Sequence, residues 1–307
     1  MMKQIKNFLD FVEIGTKTAS VIPFLVGTGF AVYRFGYLRP HQTLVFFAAM
    51  LLFDMTTTAI NNHIGYRQTG RTPHYSGAVS AAIIFAMGIA AAALGLYLVS
   101  ITSIVILVAG IFCFAVGITY SYGFLPISRT PFGELVSSVV MSVFIPLIAI
   151  QISHPLITVS IQDFSRIVVS ANWVDLLAFV GLVLPVIFCL APIMLANNIC
   201  DTEEDLRVRR YTLPVCVGIE KSLLLYRLLY IASYAAIIAV SLLRVVPLFT
   251  LALLLTCIPV RKNVMRFLER QDKRQTFFTS VLNFIIIAVP YAACIWLGVT
   301  LSRVLLV

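Results

Sequence analysis

Nine long apolar runs constrain this chain more than anything else in it. They fall at about 18–33, 43–66, 76–99, 101–120, 134–153, 173–197, 222–243, 245–260 and 277–301, the eighth being short. One helical crossing of a bilayer takes roughly 20 apolar residues. Backbone polar groups in lipid must be paired internally, so only helices or closed barrels span it. The runs are continuous, not alternating, which selects helices. Of the 307 residues 60% are apolar and 11% charged, against about 45–50% and 25% in a soluble domain. With a mean hydropathy of +1.00, no water-soluble fold of this length hides that much apolar surface. The expectation is an all-α fold, a polytopic membrane bundle of about nine transmembrane helices forming a single domain over 1–307. No soluble domain is left to carry function, so the chemistry belongs in the membrane or at its edge.

The net charge of +9 would suggest nucleic acid in a soluble protein. Here topology accounts for it. With the N-terminus in the cytoplasm, the gaps on that side hold 16 Lys and Arg, among them Arg67, Arg71, Arg129, Arg210 and Lys273, and the outer gaps hold 5. That split satisfies the positive-inside rule. It predicts a multi-pass protein of the cell membrane, N-terminus cytoplasmic and C-terminus outside, with the bilayer as partner, no nucleic acid and no obligate protein partner. The six cysteines are scattered without a CxxC pair and read as small apolar side chains. The first residues lack the apolar core and cleavage site of a signal peptide.

Two polar constellations interrupt the apolar pattern. At the end of the sixth run, Asn197, Asp201 and Asp205 lie four apart and share a helix face. Two carboxylates and an amide oxygen are hard donors that suit Mg²⁺, which is held by one or two carboxylates plus phosphate oxygens. A solvated acidic cap explains Glu203 and Glu204, but not Asn197 and Asn198 at the apolar end of the run. In the second run Asp54 falls within the hydrocarbon, where a carboxylate is costly and marks a functional site or a helix–helix contact. Asn61 follows two turns later on the same face. Arg209 and Arg210 come directly after the acidic row. Acidic groups that gather Mg²⁺ beside Arg and Lys suggest a diphosphate, and an apolar tail on it would lie among the helices. A polyprenyl or other lipid diphosphate meets both conditions.

At these residues the chain resembles the UbiA superfamily of intramembrane prenyltransferases. That family has nine helices and Asp-rich motifs after the second and sixth. The stretch 197–218, AsnAsnIleCysAspThrGluGluAspLeuArgValArgArgTyrThrLeuProValCysValGly, is similar to the second motif of the branch that prenylates 1,4-dihydroxy-2-naphthoate in menaquinone synthesis. Residues 120–134 look like that branch's loop after helix four, and 15–20 like its first-helix entry. The resemblance implies a UbiA-type fold and an enzyme that moves a polyprenyl group from its diphosphate to a small aromatic acceptor, most closely dihydroxynaphthoate. It implies Mg²⁺ as cofactor, a site at the cytoplasmic side, and metal ligands Asp201, Asp205, Asn61 and Asn197, with Asp54 a further candidate. Asp201, Asp205 and Asn61 are the expected catalytic residues. Lys17, Arg67, Arg129 and Arg210 would contact substrate, and Tyr120 and Tyr122 would face an allylic cation or anchor the membrane edge.

The first motif departs from the family's Asn-Asp-x-x-Asp. Asn61 matches, but Asn62 and Gly65 stand where carboxylates belong. Asp54 is 11 residues before Gly65, about 16 Å along a helix, too far for simple replacement. Another aromatic acceptor (4-hydroxybenzoate, haem or a chlorin), a non-catalytic homologue and a transporter using Asp54 are the rival readings. A transporter would carry an inverted repeat, and none is visible.

Overall fold

The computed structural model describes residues 2–69, 75–124, 126–162 and 166–304. Among them, nine helical segments are long and apolar enough to cross a membrane: Ile14–Phe35, Pro40–Tyr66, Gly77–Ser100, Ile104–Ser121, Leu135–Ser153, Trp173–Cys200, Ile219–Leu242, Leu248–Glu269 and Phe277–Leu301. Each answers to one apolar run of the sequence. In chain order the α-helices are α1 (Met2–Phe11), α2 (Thr18–Phe35), α3 (Pro40–Thr69), α4 (Gly77–Ser100), α5 (Ile104–Ser121), α6 (Gly133–Ser153), α7 (Trp173–Cys200), α8 (Thr202–Arg207), α9 (Leu213–Val217), α10 (Ile219–Leu242), α11 (Cys257–Glu269) and α12 (Phe277–Val304).

Two features go beyond the expected bundle. The eighth segment begins as a 3₁₀ stretch, Leu248–Thr256, and continues through α11 to Glu269. Its last two turns escape an apolar count because they are amphipathic. Asn263, Val264 and Phe267 are buried while Arg261, Lys262 and Arg266 are exposed. Between α6 and α7 the chain forms an antiparallel hairpin, β1 (Ile157–Gln162) with β2 (Arg166–Ala171). Gln151 fixes its base. The side-chain oxygen accepts from the Leu156 and Ile157 amides at 2.9 and 3.1 Å, and the side-chain amide donates to the Ile157 carbonyl at 2.6 Å.

The chain divides into two compact units, residues 1–21 with 39–127, and residues 22–38 with 128–307. In the first, α3 packs on α4, and α5 packs on both. Lipid is as apolar as a leucine side chain, so helices in it associate through close packing and polar contacts. Gly117 of α5 supplies the close approach: a Cβ there would come within 2.6 Å of the Phe53 ring of α3. Phe53 stacks on Phe114 with centroids 4.1 Å apart. Phe11, Val12, Ala59 and Met87 form a buried cluster that docks the end of α1, with Asn62 Nδ2 donating to the Phe11 carbonyl at 3.0 Å.

In the second unit α7 is the central helix, packed against α6, α10 and α12. It contains Pro185 and Pro192, each of which removes an amide donor from the helix ladder. Polar side chains of the neighbours reach its carbonyls: Ser233 donates to Pro185 at 3.0 Å and Tyr291 to Leu182 at 3.0 Å. On α10, α11 and α12, Tyr226 and Ser280 share a hydrogen bond of 2.8 Å, and Asn263 donates to Asn283 at 2.8 Å. The Ser233 and Tyr291 bonds hold α7, and the other two hold the helices around it.

Candidate functional site

The end of α7 carries the predicted row. Asn197 and Asn198 lie in the last turn, and Asp201 caps α7 while opening α8. The backbone keeps the four-residue step across the junction: the Asp201 amide donates to Asn197 at 3.1 Å and the Asp205 amide to Asp201 at 2.8 Å. Asn197, Asp201 and Asp205 are therefore stacked, as their spacing predicts. Asp205 is 1% exposed. Its carboxylate accepts from Thr212 Oγ1 at 2.9 Å and pairs with Arg210 Nη1 at 3.2 Å. Burial raises this carboxyl above the ordinary carboxylate value, while Arg210 and Thr212 pull it back.

Arg210 is structural as well as cationic. Its amide donates to the Asp205 carbonyl at 2.8 Å and its Nη2 to the Ser128 carbonyl at 3.1 Å. The next amide, of Tyr211, donates to the Arg129 carbonyl at 3.0 Å. Arg209 adopts a left-handed φ of 55° to make the reversal. The loop after the acidic row is thus folded back on the segment before α6, which brings Arg129 and Arg210 to the same place.

A residue that the sequence showed only as topology joins this group. Lys273, in the turn between α11 and α12, pairs with Asp201 Oδ2. Nothing in the sequence links positions 72 residues apart. The acid Asp272 beside it, which builds the turn, was the available signal.

In the first unit, Lys17 and Asp54 find each other. Lys17 Nζ lies 2.8 Å from Asp54 Oδ1 and donates to Thr58 Oγ1 at 2.6 Å, and Ser20 donates to Asp54 Oδ2. Both carboxylate oxygens are engaged and Lys17 is 4% exposed. The two residues expected as a substrate contact and an extra metal ligand form an ion pair at the start of α2, Lys17 buried and Asp54 largely so. Asn61 Oδ1 accepts from Ser121 at 3.2 Å. Among the described residues, nothing lies within 4 Å of a Cβ built on Gly65. Tyr120 is half-buried and Tyr122 is exposed at the end of α5. Arg67 continues α3, its side chain outside the described residues, as is Arg71 altogether.

Mg²⁺ is the cofactor this arrangement has to be tested against. Among the described residues no three His, Cys, Asp or Glu side chains converge. The donors of the row are two carboxylates and an amide, each carboxylate already neutralised by a cationic side chain. That set fits an ion that takes one or two protein carboxylates and fills its shell with water and phosphate oxygens.

A multi-pass helical membrane protein with an Asn-Asp-Asp row closing its sixth span is the class these features define. The chain belongs to the UbiA prenyltransferase family, whose sequence pattern matches residues 20–287. It is 29% identical over 219 residues to the 1,4-dihydroxy-2-naphthoate octaprenyltransferase of Bacillus subtilis (strain 168), a match spanning 66% of this chain and 63% of that protein. In fold it is similar to a UbiA homologue from Archaeoglobus fulgidus solved with GPP and Mg²⁺, with a TM-score of 0.66 at 15% identity over 96% of this chain and 99% of the other. It is similar also to the apo UbiA homologue from Aeropyrum pernix K1, with a TM-score of 0.67 at 16% identity over 92% and 98% of the two chains.

Proposed function

We propose that residues 1–307 act as one intramembrane enzyme domain that transfers a polyprenyl group from its diphosphate to 1,4-dihydroxy-2-naphthoate. The observation that carries this reading is the stack of Asn197, Asp201 and Asp205 with Arg210 locked onto it. Family membership, the name of the Bacillus relative and the GPP and Mg²⁺ held by the Archaeoglobus homologue support it. Asp201, Asp205 and Asn197 would hold Mg²⁺, which would share the negative charge of the diphosphate. Asn61 and Arg67 keep the supporting roles that the resemblance gives them, while Lys17 and Asp54, paired with each other, hold the fold.

Arg210 and Arg129 offer fixed positive charge to the diphosphate. The bond from prenyl C1 to the diphosphate oxygen breaks, and its electron pair leaves with diphosphate. Positive charge prearranged at the departing group stabilises that step most. An acceptor ring carbon then bonds to C1. Overall the naphthoate exchanges CO₂ for the prenyl group, and no net proton is released. Tyr120 and Tyr122 keep the role of cation-stabilising rings that the resemblance gives them. The protein sits in the cell membrane with its N-terminus, and this site, on the cytoplasmic side. An acceptor panel tests the reading: dihydroxynaphthoate should outcompete 4-hydroxybenzoate and haem, and preference for either of those would replace the acceptor assignment.

Asn62 and Gly65 favour a second reading, a homologue that binds prenyl diphosphate without turning it over. Binding of the diphosphate with no Mg²⁺-dependent product would select it.

A further inference from the structure

We propose that Lys273 is a resident cation of the acidic row, holding Asp201 until metal arrives and then serving the diphosphate. The inference rests on the prenyl-diphosphate reading of Asp201 and goes beyond it. The turn that carries Lys273 is built to present it. Asp272 Oδ1 accepts from the Arg274 and Gln275 amides, both at 2.9 Å, and its Oδ2 from Arg270 at 3.2 Å. Thr276 Oγ1 accepts from the Asp272 amide at 2.9 Å and donates to the Arg270 carbonyl at 2.8 Å. The Gln271 side chain ties the turn back to α11 through the Phe267 and Leu268 carbonyls, at 2.7 and 2.8 Å. A turn with this many internal bonds has few other conformations, so the ammonium is held near Asp201 without a large ordering cost.

The location also calls for a cation. Asp201 ends α7 one turn before the Asp205 carboxylate, and like charges a turn apart on one helix face repel. Lys273 offsets both charges. Its side chain is 42% exposed while that of Asp201 is 15% exposed, so the ammonium can leave into solvent without opening the fold. A divalent ion at Asp201 competes with Lys273 for the same carboxylate and repels the ammonium. The freed Lys273 then has the diphosphate as the nearest strong anion. Removing it therefore shifts two quantities in opposite senses: metal binds more tightly without diphosphate, and diphosphate binds less tightly with metal. Damage to the turn would not produce that pair of changes.

The experiment uses the full chain in lipid nanodiscs. Mn²⁺ binding is measured by electron paramagnetic resonance without diphosphate, and KM for polyprenyl diphosphate is measured at saturating Mg²⁺. Lys273→Met should bind Mn²⁺ about fivefold more tightly, the size of one partly exposed ion pair, and raise KM about fivefold. Lys273→Arg should keep both near wild type, and Arg274→Met, which removes an equal charge from the same turn, should change neither. Wild-type or weaker Mn²⁺ affinity in Lys273→Met overturns the proposal while leaving the metal reading intact, provided Asp201→Asn abolishes Mn²⁺ binding. Mn²⁺ binding that ignores Asp201→Asn overturns the metal reading itself, and the role of Lys273 with it. An unchanged KM overturns the diphosphate half alone.

Discussion

At the scale of single residues, the charges divide into those that hold the fold and those that meet substrate. Lys17 and Asp54 belong to the first group. Removing one partner of a buried pair leaves an uncompensated charge, which costs about 3 kcal/mol or more. Lys17→Met should lower thermal stability sharply, and adding Asp54→Leu should recover most of the loss. A double variant no more stable than Lys17→Met would contradict that assignment. Gly65 is the opposite case, a missing charge with room for one. Gly65→Asp exchanges one weak helix former for another, so stability should stay within about 0.5 kcal/mol. The Mg²⁺ concentration for half-maximal turnover should fall if the first motif contributes a ligand site. The sequence made Asp201 and Asp205 legible because their spacing matches the helical repeat. It concealed the partners, since Lys17 meets Asp54 across 37 residues and Lys273 meets Asp201 across 72. Contacts between elements leave no periodic trace.

At the scale of elements, polar side chains at helix ends decide where segments stop and how connections are held. Gln151 is 4% exposed and makes three hydrogen bonds to the base of the hairpin. Gln151→Ala leaves backbone groups of Leu156 and Ile157 without those partners, at a cost of about 2 kcal/mol. Protease cleavage within 157–171 should speed up at least tenfold, with the helical spans unaffected. An unchanged cleavage rate would show that the hairpin is held by something else. Its strands were not foreseen because a six-residue alternation inside a short loop is faint beside twenty-residue apolar runs. The end of the eighth span was missed for a related reason. Arg261, Lys262 and Arg266 lower the apolar count, yet they lie on one face of a helix whose other face is buried.

At the scale of the whole molecule, the nine spans were legible because the bilayer imposes one length and one composition on each. The family pattern runs through both compact units, from residue 20 to residue 287. The charge bias sets an orientation that can be tested with a native residue. Cys216 is exposed, in the short helix following the acidic row. A membrane-impermeant maleimide should label it in inside-out vesicles and not in right-side-out ones, and Thr158→Cys should show the reverse. The opposite pattern would invert the topology. The rest depends on one assignment, Asp201 and Asp205 as metal ligands of a prenyltransferase. Its most direct test is turnover by membranes containing the protein, supplied with dihydroxynaphthoate, polyprenyl diphosphate and Mg²⁺. Prenylated product and CO₂ should form, vanish with chelator and fall at least about 100-fold in Asp201→Ala and Asp205→Ala; undiminished product from Asp201→Ala would remove Asp201 from the metal site.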